Sequence, residues 1–417
     1  MDKQTGALTD KNSTKAGWLL LIGVILVGSN LRVPITSVGA LISFIRDDLG
    51  ISNAVAGLVT TLPLLAFALL SPFAPKIANR IGMEWTIALS LALLITGIII
   101  RSLTGIVFLF TGTLFVGLAI AVGNVLIPGI IKMSFPLKIG IMTGVYAVFM
   151  NIFGALGSGL SVPIASVGNM GWQGALGIWG LLAVISLLAW IPQLRKQRDE
   201  SPKADVEKNK KTNLWRSPIA WNVTLFMGGQ SLAFYTLIAW MPDILRSIGY
   251  NTNTAGWMVF LMQVALIPTT FVIPVIAEKL KNQSGLAIGT AALFIIGFAG
   301  LLHGSMMLVP LWAILLGIAG GSGFSLSMMF FTIRTRDGKE AAELSGMAQS
   351  FGYLLAAVGP VLVGTLHDIS NGWAIPIIFL IIISVIILIS GIVSGKEGTV
   401  SDQSKKQIKK EPVELIH

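Results

Sequence analysis

The chain has 417 residues, of which 54% are hydrophobic and only 12% charged, and its mean hydropathy is +0.82. That leaves too little polar surface for a water-soluble domain of this length. The absence of cysteine excludes disulfides and thiolate metal sites, and the formal charge of +10 is spread over short separate segments instead of forming a face for nucleic acid.

At about 1.5 Å of rise per residue, roughly 20 helical residues cross a hydrocarbon core about 30 Å thick. Apolar stretches of that length recur twelve times, at 17–43, 54–74, 84–101, 105–131, 140–165, 173–192, 218–241, 254–276, 285–304, 309–332, 343–366 and 373–394. Each reads as a helix, because in lipid the backbone must satisfy its own hydrogen bonds. The expected class is an all-α membrane protein with twelve transmembrane helices.

The first span contains "VGSNLRVPITSVGALI", with Arg32 about halfway along. It is too long for a cleaved secretory signal, and more spans follow it. An embedded guanidinium is costly, yet none of the 19 acidic residues falls at the middle of a span. Arg32 therefore reads as a cation facing a wet cavity, and its planar donors suit a carboxylate, a nitro group or a cyanate-like ion. The structural alternative is that Arg32 donates to helix carbonyls, or that Glu343 reaches inward to it. Asn30, roughly 200° around the helix from Arg32, is expected to face elsewhere.

Spans 2 and 3 are joined by "APKIANRIGMEW". This segment resembles the loop signature of the major facilitator superfamily, in which a Gly, an Asp-Arg pair and a second Gly stabilise one conformation by charge pairing. Arg80 and Gly82 match that pattern, whereas Asn79 stands at the acidic position and Pro75 at the first Gly. The carboxylate of such a latch is missing here.

Farther along, polar side chains recur near mid-depth, Asn151 in span 5, Gln230 and Tyr235 in span 7, Gln263 in span 8 and Tyr353 in span 11, with Asn124 in span 4 and Gln349 in span 11 somewhat toward the cytoplasm. Gln349 and Tyr353 share a helix face, as do Ser231 and Tyr235. All seven are candidates for bonds to a solute's polar edge, the alternative being hydrogen bonds between helices. Lys132, ending span 4, reads as a snorkelling side chain. The glycines of "GALGSGL" in 154–160 and "GIAGGSGF" in 317–324 read as faces for close helix packing. Among the prolines, Pro34, Pro63, Pro128, Pro163, Pro268, Pro274 and Pro360 should kink some of the spans.

Residues 193–217 read as a charged, mobile linker between an N-terminal six-helix bundle (17–192) and a C-terminal one (218–394), with cytoplasmic tails at 1–16 and 395–417. The two halves read as copies. A shift of 199 places Gly50 on Gly249, Pro75 on Pro274 and Ala78 on Ala277, and shifts of 200 to 202 place Gly117 on Gly317, Gly123 on Gly323 and Gly157 on Gly359. Two such pseudo-symmetric halves would enclose a site near mid-depth and rock about it. Apart from the embedded Arg32, and from Arg46, Arg101 and Arg246 in or beside odd-numbered loops, every Lys and Arg lies at a terminus or on an even-numbered loop. Both termini are therefore expected in the cytoplasm.

The blocks "TTLPLLAFALLSP", "GNVLIPGIIKMSFP", "WQGAL", "WRSPIAWNVTLFMG", "QSLAFY", "WMP" and "LSGMAQSFGYLLAAVGP" run in order from span 2 to span 11. Together they look like the cyanate and 2-nitroimidazole transporter family of the major facilitator superfamily. The resemblance implies a twelve-helix major facilitator fold in the plasma membrane and passage of a small, weakly acidic or anionic solute.

No Walker pattern or paired His ligands are found, and no soluble domain is present to hold them, so the expectation is a non-enzyme without cofactor or metal. The expected activity is secondary active or facilitative transport by a functional monomer, with or without protons, and with Arg32 as anion anchor. The rival reading is a proton-driven drug exporter on the same fold, which would call for an intramembrane acid. His303 and His367 fall near external span ends, so the energy source stays open.

Overall fold

The computed structural model describes residues 18–196 and 214–401, apart from positions 52 and 169. Among the described residues the regular structure is helical, with no strand. The expected tails at 1–16 and beyond 401, and most of the expected linker, lie outside the described residues.

The helices are α1 (residues 18–30), α2 (Val33–Leu49), α3 (Asn53–Leu70), α4 (Ala74–Ile81), α5 (Met83–Arg101), α6 (Ile106–Ser134), α7 (Ile139–Ser166), α8 (Gly171–Gly177), α9 (Trp179–Lys196), α10 (Pro218–Ser247), α11 (Thr252–Lys279), α12 (Ser284–His303), α13 (Val309–Ile333), α14 (Gly338–Ser370) and α15 (Ala374–Gly395). Among the described residues, eleven spans are long and apolar enough to cross a membrane, or twelve if one bent pair counts as a span.

The first expected helix is broken. Pro34, near the start of α2, has no N–H to give the carbonyl of Asn30, so the ladder fails there and the chain turns at Leu31 and Arg32. Leu31 N–H closes a tight turn onto Gly28 O at 3.0 Å, and Ile35 and Thr36 both donate to Arg32 O. From this restart α2 runs past the expected end at 43 to Leu49. It stops at Gly50, whose φ of 60° is a left-handed conformation that glycine adopts without a Cβ clash.

The segment expected as a loop between spans 2 and 3 is in large part a helix, α4. Pro72 and Pro75 remove two N–H donors within one turn, and the chain bends by 53° between the end of α3 and α4. Gly82, with φ 94°, ends α4. In the corresponding part of the second half, Pro268 and Pro274 are six residues apart and α11 passes both without a break. The duplicated spans thus diverge in shape even though Pro75 aligns with Pro274.

The chain divides into two compact units. The first comprises residues 1–130, 134–136 and 145–206, and the second 131–133, 137–144 and 207–417. One end of the first unit is filled by Leu41, Ile45, Val59, Leu109, Trp172 and Leu176. Elsewhere in it Trp190 is fully buried, donating its indole N–H to Glu84 O at 2.9 Å. In the second unit α11 packs on α13 through the expected glycine face: a Cβ at Gly317 would collide with the carbonyl of Met262, and one at Gly321 with that of Leu266.

Two cations in the second unit hold helix ends. Lys132, expected to snorkel, instead donates to the carbonyls of Thr332 and Thr335. Carbonyls at a helix C-terminus lack intrahelical donors and sit at the negative end of the dipole, so they draw a nearby ammonium. Arg334 is buried just beyond α13, with Nε donating to Ser394 O at 2.7 Å and Nη2 to Gly395 O at 2.8 Å and to Gln283 Oε1. Burial pushes its guanidinium down to about 10, against the pull of Glu397, so it stays charged at neutral pH. Arg334→Ala should strand these acceptors where α12, α13 and α15 meet, at a cost of about 1–3 kcal/mol. The expected readout is a lower thermal midpoint of the purified protein in detergent, with Arg334→Lys recovering only part of the loss.

Candidate functional site

The break between α1 and α2 sets the position of Arg32. With φ −123° and ψ −38° it lies outside both helices and is half-buried, while its neighbours Leu31 and Val33 are buried. Its aliphatic stem lies across Gly154 of α7, where a Cβ would stand 3.0 Å from Arg32 Cδ and 3.1 Å from Cγ. One turn on, Gly157 gives the same clearance to Val33 and Thr36. Thr36 Oγ1 ties the restarted helix to α7 by donating to Gly154 O at 2.8 Å. The "GALGSGL" glycines therefore hold the broken helix close and also leave a channel for the Arg32 side chain.

At the end of that channel Arg32 Nη1 donates to Asn151 Oδ1. The Asn151 amide is oriented by its own Nδ2, which donates to Ala147 O at 2.8 Å and leaves the oxygen toward the guanidinium. Tyr146, farther back on α7, is within electrostatic reach of Arg32 and donates its hydroxyl to Asn124 Oδ1 at 3.2 Å. Its ring occupies the space left by Gly28 of α1. Arg32 and Asn151 are thus joined within the first unit, and Tyr146 bonds Asn124 in the same unit. Asn30, expected to face elsewhere than Arg32, donates to Ser186 Oγ of α9 at 2.6 Å and to Leu26 O at 2.8 Å.

Sequence reasoning missed Tyr146 and misplaced Arg101. Tyr146 is five residues before Asn151, about 140° around an ideal helix, so periodicity alone does not pair them. Arg101 was expected in or beside a loop but is fully buried, with Nη1 donating to Pro34 O at 2.7 Å. The physical reason is the contact of α5 with α6: Gly112 lacks the side chain that would collide with the backbone and Cβ of Arg101, so α6 closes over it. A charge at the end of a span reads alike in sequence whether that end meets water or protein.

In the second unit Gln230 is buried and donates Nε2 to Ser231 Oγ at 2.9 Å, with Gly323 leaving room for its stem. Gln349 is buried and donates to Ser345 Oγ at 2.7 Å, and Tyr353 lies on the same helix, also buried. Tyr235 is half-buried against the edge of Phe234, their centroids 5.6 Å apart. Gln263 is exposed on α11, whereas its neighbour Met262 is buried. Asn79 and Arg80 are both exposed on α4, with Gly82 as its terminator.

Comparison with known proteins agrees with this architecture. Residues 20–360 and 230–415 match the Major Facilitator Superfamily. The chain is 48% identical over 389 residues to an uncharacterized transporter of Bacillus subtilis, covering 93% of this chain and 96% of that one. It is 40% identical to the 2-nitroimidazole transporter of Escherichia coli, over 91% of this chain and 96% of the relative. Against the cyanate transport protein of Escherichia coli it is 26% identical, over 85% and 91%. A solved structure of a proton:xylose symporter superposes with a TM-score of 0.75 over 95% of this chain and 99% of the symporter, at 12% identity, a likeness of fold alone.

Proposed function

The chain belongs to the major facilitator superfamily and is a multi-pass membrane transporter, not an enzyme; we propose that its solute is a small, planar, weakly acidic or anionic molecule and that Arg32 anchors it. The observation that carries this reading is the Arg32 guanidinium at a helix break, braced by Asn151 and flanked by the Asn124–Tyr146 pair. A break in a membrane helix is tolerated where it is buried in protein or lines a cavity, and a guanidinium offers two parallel donors to a planar acceptor. The names of two relatives, which carry 2-nitroimidazole and cyanate, support the size and flatness of the solute.

The second unit's Gln230, Tyr235, Gln263, Gln349 and Tyr353 are proposed as further hydrogen-bonding groups along the solute's path. The protein works as a monomer in the plasma membrane with both termini in the cytoplasm, an orientation supported by the basic residues of the termini and even-numbered loops. Transport exposes the site to each membrane face in turn. A drug exporter that attracts cations would call for a buried acid. Among the described residues the only buried carboxylate is Glu340, which accepts from Arg336 N–H at 2.7 Å beside the start of α14.

The test is uptake and efflux by proteoliposomes carrying the purified protein, using a panel of small planar anions and weak acids with and without a pH gradient. Saturable transport of at least one such solute, competed by others of the panel, is expected. Transport confined to hydrophobic or cationic compounds would overturn the reading, and dependence on the gradient would identify proton coupling.

A further inference from the structure

We propose that Arg101 is a positioning residue for solute binding, which through the carbonyl of Pro34 fixes the turn on which Arg32 stands. The inference rests on the reading of Arg32 as anchor. Arg101 is fully buried at the end of α5, and its Nη1 donates to Pro34 O at 2.7 Å. Pro34 is the second residue of α2, two beyond Arg32. The backbone that carries Arg101 is tightly held. A Cβ at Gly112 would stand 2.3 Å from Arg101 N and 2.6 Å from Gly97 O, and one at Gly97 2.8 Å from Val116 N, so α5 and α6 meet backbone to backbone at this level. Arg101 is therefore a short arm reaching from a close-packed helix pair to the restart of α2.

What the arm holds is a weak point in the chain. Pro34 gives no N–H, and the backbone bonds that close the break are those of Leu31 to Gly28 O and of Ile35 and Thr36 to Arg32 O. Side chains fix the restart from two sides, Thr36 Oγ1 on Gly154 O of α7 at 2.8 Å and Arg101 on Pro34 O. Without Arg101 these ties run to α7 alone, and the start of α2 can pivot there and carry Arg32 off Asn151. The cost of burying Arg101 argues against a role in stability. Its Nε and Nη2 are enclosed without a hydrogen-bond partner, and no ionised group among the described residues offsets its charge. Even a buried ion pair can often be replaced by apolar side chains of similar volume without loss of stability, and a guanidinium with one bond is worse compensated than a pair. Arg334 is the contrast, since it meets three acceptors and holds helix ends together. Arg101 makes a single bond, to the carbonyl beside the anchor, which is the pattern of a group that orients a site.

The experiment sets Arg101→Met, which roughly keeps the volume and removes the donors, beside the full-length wild type. Its thermal midpoint in detergent should equal or exceed that of the wild type. In proteoliposomes the half-saturation concentration for 2-nitroimidazole and for cyanate should rise by roughly tenfold, as for one lost charge-assisted hydrogen bond, with a smaller change in maximal rate. Arg101→Lys, whose ammonium can still donate to Pro34 O, should recover part of the affinity. Hydrogen exchange needs no solute, and in Arg101→Met it should quicken at the amides of Leu31, Ile35 and Thr36 while the rest of the first unit exchanges as in the wild type. A lowered midpoint with faster exchange throughout the unit, or loss of the folded protein, would make Arg101 a support of the fold and overturn the inference. Wild-type affinity in Arg101→Met beside a defective Arg32→Ala would overturn it and leave Arg32 as anchor. Wild-type affinity in Arg32→Ala would instead remove the reading on which it rests.

Discussion

Arg32→Ala is expected to abolish saturable transport of planar anions in proteoliposomes while the protein still reaches the membrane and purifies as a folded species. The guanidinium supplies both the charge and the fixed fork of donors, and removing one partner of a desolvated, hydrogen-bonded charge pair costs about 2–5 kcal/mol, or roughly 30- to several-thousand-fold in affinity. Arg32→Lys keeps the charge but places a compact ammonium on a flexible stem, without the planar geometry, so it should recover little. Retention of the fold is expected because the break itself depends on Pro34, and Asn151 keeps its bond to Ala147 O when its bond to Arg32 is gone. Measuring solute affinity alongside the transport rate separates an anchor from a merely structural arginine. Wild-type affinity in Arg32→Ala would remove Arg32 from the site.

Gly154→Leu should produce nearly as large a loss through a different atom. A Cβ at 154 already stands 3.0 Å from Arg32 Cδ, a separation at which the neighbour must yield, and the further carbons of leucine would occupy the path of the stem. Overpacking of this kind costs about 1–3 kcal/mol in stability. The larger consequence is that the guanidinium is pushed off Asn151, and with it the solute. Transport is expected to fall by at least about tenfold, equivalent to roughly 1.4 kcal/mol of lost binding, with Gly154→Ala intermediate. Gly159→Leu is the control: a Cβ there meets nothing within 4 Å, so transport should remain close to wild type. Equal losses at 154 and 159 would mean that α7 tolerates no added bulk and that the channel for Arg32 has no special part.

Much of the architecture was legible from composition and period. Runs of roughly 20 apolar residues can only be helices in lipid, and apart from the proline-interrupted ones the expected spans agree with the helices to within about six residues at each end, the largest gaps at the end of α10 and the start of α14. The first span reads as one helix in sequence because hydropathy does not register a missing N–H. Pro34 was visible, but other prolines on the same footing, such as Pro128 and Pro163, sit inside unbroken helices. Whether a proline kinks or severs a helix depends on what is nearby to take up the freed carbonyls. The α3–α4 bend has the same origin, with Pro72 and Pro75 acting together where Pro268 and Pro274 act singly.

The candidate site was legible in its main member and less so in its setting. Arg32 stands out because a charge in an apolar run is conspicuous, and Asn124 and Asn151 because they are polar inside apolar spans. Tyr146 stays hidden because its helical phase differs from that of Asn151. In sequence Arg101 reads as a flanking charge, because one-dimensional depth does not reveal which helix will cover a given residue.

Sequence alone determined the class of molecule, its helical spans and the embedded cation, because each of these follows from the cost of exposing polar groups to lipid, a cost paid residue by residue along the chain. Tertiary packing decided which carbonyls, amides and hydroxyls meet those cations. Gly154 admits the stem of Arg32, Gly112 lets α6 close over Arg101, and Lys132 and Arg334 find the open carbonyls at helix ends. These are contacts between residues far apart in the chain, and they depend on the missing Cβ atoms and helix breaks of several segments acting together, which no single stretch of sequence contains.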